Sequence, residues 1–207
     1  MASVAPQATQ EERTEASRRR IIEAALKVLA EEGYRNMTVA RIQEVAGLSR
    51  GLVGYHFGSK QGLLEALIDS IRQDYADEVV KELDAGDPAG LDAILEMIDS
   101  YLTRLGGRPN RNTVLLVLMV ESISELPELR TAVQSLNAVL RRRFGGWLTR
   151  GVEDGTVRPD VDPAVEAGLL QGLIRGITLQ WLVDPDGFDL VAARRGALAM
   201  VRRSLAP

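Results

Sequence analysis

The chemistry open to this chain is bounded first by what it lacks. Its 207 residues include no cysteine and one histidine, His56. Disulfides, thiolate metal sites and cysteine nucleophiles are thereby excluded, as are histidine-cluster metal sites. His56 stands in Tyr55-His56-Phe57-Gly58 with no serine or cysteine elbow beside it and no second imidazole elsewhere, so it does not read as a catalytic base. Packing at a helix end against Phe57 is its plain structural reading. Asp154, Asp160 and Asp162 crowd one loop, but the glycine-bearing spacing of a calcium loop is absent and they read as solvated turn acids. No catalytic residue, metal site or cofactor is expected.

What remains is recognition chemistry, and it needs elements to hold it. At 45% apolar and 26% charged residues the composition is that of a globular protein. Nearly every periodic segment has the helical period and none alternates as a strand does, so the fold class expected is all-α, with about nine helices. Residues 1–15 read as a mobile tail. A helix then carries Ile21, Ile22, Ala25, Leu26 and Leu29 and stops at Gly33. Thr38 is placed to cap a second helix that ends at Ala46-Gly47, Ser49 a third over Arg50 to about His56, and Ser59 a long fourth over about 60–85. That helix runs out at Asp84-Ala85-Gly86-Asp87-Pro88. Five more helices are expected over 89–105, 111–125, 128–154, 163–183 and 189–205, with Asp162-Pro163 as an N-cap and first-turn proline. The longest apolar run, Val114 to Val120, is far short of a membrane span, and the N-terminus lacks the apolar core of a secretory signal; a cytoplasmic protein is expected.

The formal charge of −4 divides unevenly. Residues 1–60 hold nine basic and seven acidic side chains, net +2, and the remainder nets −6. All seven early acids lie at or before Glu44, leaving 45–60 with Arg50, Lys60 and no acid. Within that stretch two short helices meet at a Gly47-Leu48 turn, the helix-turn-helix arrangement that places its second helix in the DNA major groove. In Ser49-Arg50-Gly51-Leu52-Val53-Gly54-Tyr55-His56-Phe57, Leu52, Val53 and Phe57 face inward, leaving Arg50, Gly51, Gly54 and Tyr55 outward. Arg50 offers a planar fork of donors for guanine, and the glycines admit close backbone approach.

Thr38-Val39-Ala40-Arg41-Ile42, Ala46-Gly47-Leu48-Ser49-Arg50-Gly51 and Tyr55-His56-Phe57-Gly58-Ser59-Lys60-Gln61-Gly62-Leu63-Leu64 together resemble the DNA-binding domain of the TetR (tetracycline repressor) family of transcriptional regulators. The resemblance covers about 20–67 in detail and the rest in architecture only. It implies a DNA-binding set of Thr38, Arg41, Ser49, Arg50, Gly51, Tyr55, His56 and Lys60. Thr38 and Lys60 would hold phosphates at helix N-termini, Arg50 would read bases, and Tyr55 and His56 would meet phosphate or sugar. Arg18, Arg19 and Arg20 read as a solvated helix start or as a DNA arm. The chain departs from the family pattern at Gly54, where many members carry an aromatic, and at Gln43, where many carry alanine.

The resemblance also implies a domain organisation: a tail over 1–15, a DNA-binding domain over 16–62 and a helical ligand-binding and dimerisation domain over 63–207. In the last, segment 113–124 is apolar nearly all round, like a helix buried in the middle of a domain. Met97, Tyr101, Met119, Glu121, Ser122, Trp147 and Ile174 are candidates to line a ligand pocket, each with plain core packing as the competing reading. Gly168, Gly172 and Gly176 recur every four residues and form a flat stripe that admits a second helix, from the same chain or from a partner. Leu169, Leu173, Leu198 and Val201 would add apolar area to a dimer interface there.

The function expected is a sequence-specific, non-enzymatic regulator, a repressor that binds a palindromic operator in double-stranded DNA as a homodimer. A small hydrophobic or amphipathic effector would release it. An activator, a regulator controlled by a protein partner, an architectural DNA binder and an enzyme with a DNA-binding appendage are the alternatives. No membrane partner is expected.

Overall fold

The computed structural model describes residues 9–49, 51–75, 90–105, 109–124 and 126–207. All regular structure among them is helical: α1 (Gln10–Asn36), α2 (Val39–Ala46), α3 (Leu52–Phe57), α4 (Lys60–Tyr75), α5 (Gly90–Leu105), α6 (Pro109–Ile123), α7 (Arg130–Glu153), α8 (Pro163–Val183) and α9 (Leu190–Leu205), with a short 3₁₀ turn at Pro127–Leu129. None of these helices is long and apolar enough to cross a membrane. The chain divides into two compact units, up to Ser70 and from Ile71, the boundary falling inside α4.

The first unit is built on local signals. Thr9 and Glu12 form a reciprocal capping box, so α1 begins at Gln10, inside the stretch expected as tail. Gly33, at φ +77°, breaks the helical path of α1 where the sequence places a stop. Ile21, Ala25, Val28 and Leu29 of α1 are buried with Ile42 of α2, Val53 of α3 and Leu63, Leu64 and Leu67 of α4. The Thr38 hydroxyl accepts the Arg41 N–H at 3.1 Å to cap α2, and left-handed Gly47 closes it.

The second unit has its own core. Ile94, Ile98 and Leu102 of α5, Phe144 and Leu148 of α7, Leu170, Ile174 and Ile177 of α8, and Ala197 and Val201 of α9 pack together at helical spacings. Gly90 opens α5 directly against the backbone of Gly151 in α7, where a Cβ would come within 2.3 Å of main-chain atoms. Asp154 accepts the Gly90 N–H at 3.0 Å and Asp162 caps α8. Asp154 and Asp162 thus serve helix ends while Asp160 pairs with Arg158, and hydrogen bonds from Thr156 and Gly90 hold the Asp154 carboxyl below the usual range. Helix α6 departs from expectation. Among its apolar residues Val114 and Leu118 are buried, while Leu115, Leu116, Val117 and Met119 are half-buried and Val120 and Ile123 are exposed. Its contacts come from α7, the 3₁₀ turn and α8, and they bury only Val114 and Leu118 of that apolar run.

Candidate nucleic-acid interface

The α2–turn–α3 element is shaped by three left-handed glycines. Gly47 (φ +61°) turns the chain out of α2, Gly51 (φ +97°) stands at the N-cap of α3, and Gly58 (φ +71°) ends it. No side chain caps α3. The expected cap at Ser49 is therefore corrected: left-handed Gly51 stands at the N-cap and the helix starts at Leu52. Ser59 does cap α4, accepting the Gly62 N–H at 3.0 Å. Val53 is buried, Leu52 and Phe57 are half-buried, and Ser49, Gly51, Gly54 and Tyr55 face outward, Tyr55 being 73% exposed. Arg50, the sequence candidate for base reading, lies outside the described residues.

Several candidate DNA contacts have intramolecular partners. His56 hydrogen-bonds Ser17 of α1, Nε2 to Oγ, at 2.5 Å, and its ring meets those of Tyr55 and Phe57. It acts here as a tie between α3 and α1. The Lys60 ammonium lies 4.0 Å from the centre of the Tyr34 ring, and burial lowers its pKa. Thr38 keeps its O–H free to donate outward, since the capping bond uses only its oxygen as acceptor.

Arg41 is redirected. Its guanidinium is held by both oxygens of Glu32, at 2.9–3.1 Å, and by Glu44 at 2.9 Å. Those bonds raise the Arg41 pKa and hold Glu32 below the ordinary carboxylate range. The paired fork ties α2 to the C-terminal part of α1. Arg18 to Arg20 lie within α1. Arg18 stacks over Phe57, and Arg20 donates to the Ala46 carbonyl at 2.7 Å, satisfying the C-terminal end of α2. Arg19 is left to line, with Arg20 and Lys27, an open groove of about 650 Å³ between α1 and α2.

In the second unit the effector candidates separate. Met97, Trp147 and Ile174 are core, Trp147 meeting Phe144 edge-on. Ser122 is buried with its hydroxyl donating to Met119 O, one turn back, and Glu121 is half-buried. Tyr101 and Met119 instead meet polar groups that the sequence reading passed over. Arg175 of α8 donates to Met119 Sδ and to Asn137 Oδ1 of α7, and its charge acts on Tyr101, which hydrogen-bonds Thr178. The signal was present as Gln171, Arg175 and Thr178, one polar edge along an apolar helix.

The dimer candidates also divide. Gly168, Leu169 and Gly172 face outward on α8 and Gly176 is half-buried; a Cβ at any of the three glycines would touch nothing. Leu173 and Leu198 are half-buried against the protomer's own core. Val201, 3% exposed, is part of that core, since 197, 201 and 205 share the inward face of α9. The outward surface instead includes Val165, Leu179 and Val183 of α8 and Val191, Gly196 and Met200 of α9.

Comparison with known proteins agrees with this geometry. Residues 21–67 match the family model described as bacterial regulatory proteins, tetR family, and residues 90–206 match that of the BetI-type transcriptional repressor, C-terminal. The HTH-type transcriptional regulator BetI 1 of Chromohalobacter salexigens is 30% identical over 190 residues, covering 91% of this chain and 90% of that protein. Among solved structures, the regulator FadR of Bacillus subtilis in complex with stearoyl-CoA superposes with a TM-score of 0.80 at 22% identity, covering 90% of this chain and 98% of that one. A regulator from Saccharomonospora viridis in complex with choline gives 0.82 at 23% identity, covering 93% and 99%. With both halves matched, this chain belongs to the TetR family: it is a DNA-binding transcriptional regulator and not an enzyme.

Proposed function

We propose that the protein is a repressor that binds a palindromic operator in the cytoplasm as a homodimer and is released by a small-molecule effector held in its second unit. Arg50 reads bases from the N-terminal end of α3; Ser49, Gly51 and Tyr55 flank it at the groove, and Thr38, His56 and Lys60 complete the phosphate contacts. The observation that carries this reading is the outward face of α3. Tyr55 projects from it, and Gly54, in ordinary helical conformation with open space where a Cβ would stand, leaves the backbone approachable. A mid-helix glycine forgoes about 1 kcal/mol of stability relative to alanine, which close approach of a duplex would offset.

A two-fold dimer would set its two recognition helices on half-sites about 34–36 Å apart, or a multiple of that. Outward α8 and α9 supply the pairing surface, with Gly168, Leu169, Gly172 and Gly176 at its centre. An effector that couples to DNA binding by about 1–3 kcal/mol would change operator affinity roughly 5- to 150-fold. Selection of bound duplexes from a random library at physiological salt tests the reading. A symmetric site that disappears with Arg50→Ala supports it; recovery of no consensus by the ligand-free protein refutes it.

A further inference from the structure

Helix α3 has little of its own to hold its direction. It is six residues long, no side chain caps it, and Val53 is its one buried residue. Left-handed glycines flank it at 51 and 58, and the turn that leads into it begins at left-handed Gly47. Glycine torsions are the least restricted in a chain, so local backbone preference does not fix where α3 points. Contacts from α1 do. Ser17 and Arg18 engage the far end of α3, through His56 and the Phe57 ring. The near end is the turn, and there the contact is Arg20. Closure of α2 uses the carbonyls of Gln43 and Glu44, which accept from the N–H groups of Gly47 and Leu48. The carbonyls of Ala46 and Gly47 accept from α1 instead: Arg20 Nη2 donates to the first at 2.7 Å and to the second at 3.5 Å. The guanidinium also sets a positive charge at the C-terminal end of α2, where the helix dipole favours it.

We propose that Arg20 is a positioning residue for base reading: it pins the turn before α3 and so sets how that helix enters the major groove, without itself touching DNA. The inference rests on the reading above of α3 as the recognition helix and Arg50 as its base reader. A side chain that reads a base edge must bring its donors into register with fixed acceptors. Attraction to the phosphate backbone tolerates small displacements, because it is long-ranged and independent of sequence. A turn released by loss of Arg20 therefore costs discrimination between sequences before it costs attraction to DNA.

Two measurements on the full chain carrying Arg20→Met test this. Amide exchange reads the protein without DNA. Exchange over residues 52–58 should quicken by about 3- to 10-fold beyond any change over 63–67, since a tie to α3 is lost while the core of α4 is kept. Arg19→Met, which removes the same charge one position away, should leave that difference unchanged. Anisotropy titration reads DNA, with the duplex selected above and a scrambled duplex of equal length. The ratio of the two affinities should fall by roughly 5- to 50-fold. The salt dependence should keep its slope, whereas loss of a direct phosphate contact would reduce it by about 0.9. Within Arg50→Ala, Arg20→Met should cost less than in the parent, because the contact it positions is already gone. Exchange that quickens equally over both segments, or over neither, would overturn the assignment. So would an unchanged affinity ratio or a slope reduced by one phosphate. The two readings fail separately. Faster exchange over 52–58 with no effect of Arg50→Ala on the selected duplex keeps the tie and refutes Arg50 as the reader. A loss from Arg50→Ala with unaltered exchange in Arg20→Met does the reverse.

Discussion

Replacing Leu169 by alanine tests the proposed dimer at the centre of its surface. Leu169 is 61% exposed on the outward face of α8 and takes no part in the protomer core. Complete burial of a leucine side chain contributes about 1.5–3 kcal/mol. The part still exposed therefore holds about 1–2 kcal/mol to be released on contact with a partner. A two-fold interface uses each residue twice, so the dimer should lose about 2–4 kcal/mol, or roughly 30- to 700-fold in its dissociation constant. Folding of the protomer should change little, since alanine is at least as good a helix former as leucine. Sedimentation across a concentration series reads the dissociation constant, and a far-UV melt confirms the fold. Operator binding should weaken at low protein concentration and recover at high concentration. Val201→Ala is the contrasting substitution: 3% exposed, it should cost roughly 1–3 kcal/mol of protomer stability and leave association of the folded chains alone. A dissociation constant within about twofold of the parent for folded Leu169→Ala would refute the assignment of this face, since the loss expected above is at least tenfold larger.

Ser17→Ala cuts the tie between α1 and α3 and should cost about 0.5–1.5 kcal/mol of stability while weakening operator binding; unaltered affinity in an anisotropy titration would show that His56 needs no anchor. The Glu32–Arg41 pair sets a pH signature. With Glu32 held below its reference value of 4.5, its stabilisation is full above that pH and is lost as pH falls through the lowered native value. The gap in melting temperature between the parent and Arg41→Ala should therefore narrow in acid; a constant gap from neutrality down to about pH 3 would remove the pair from the account. Gly54→Ala should raise the melting temperature by about 2–4 °C, since its Cβ meets nothing and its backbone is ordinary helix. Gly51→Ala, at φ +97°, should lower stability by about 1–2 kcal/mol. Thermal scans that moved both variants the same way would contradict the backbone argument.

Much of the helix punctuation in both units was legible because its signals are local. The stop at Gly33, the cap at Thr38, the left-handed close at Gly47, the cap at Ser59 and the Asp162-Pro163 start each depend on backbone groups within about four residues. A window of sequence contains both partners of such an interaction. The start of α3 was misplaced although its cause is local too. Ser49 and Gly51 are both acceptable N-terminal residues, and only the left-handed conformation at 51 chose between them.

The sequence by itself determined the helical period, the punctuation that divides it, the absence of thiolate and histidine-pair chemistry, and the motif that marks the family. Tertiary structure alone decided who meets whom. Arg41 turns to Glu32 on the preceding helix, and His56 reaches Ser17 across 39 positions. Met119, Asn137, Tyr101 and Arg175 gather from four helices. On α9, Val201 points into the core and Met200 out of it. Caps and turns are set by short-range torsions and hydrogen bonds. The partner of a long side chain instead depends on the crossing and rotation of whole helices, which the summed burial of many apolar residues decides together.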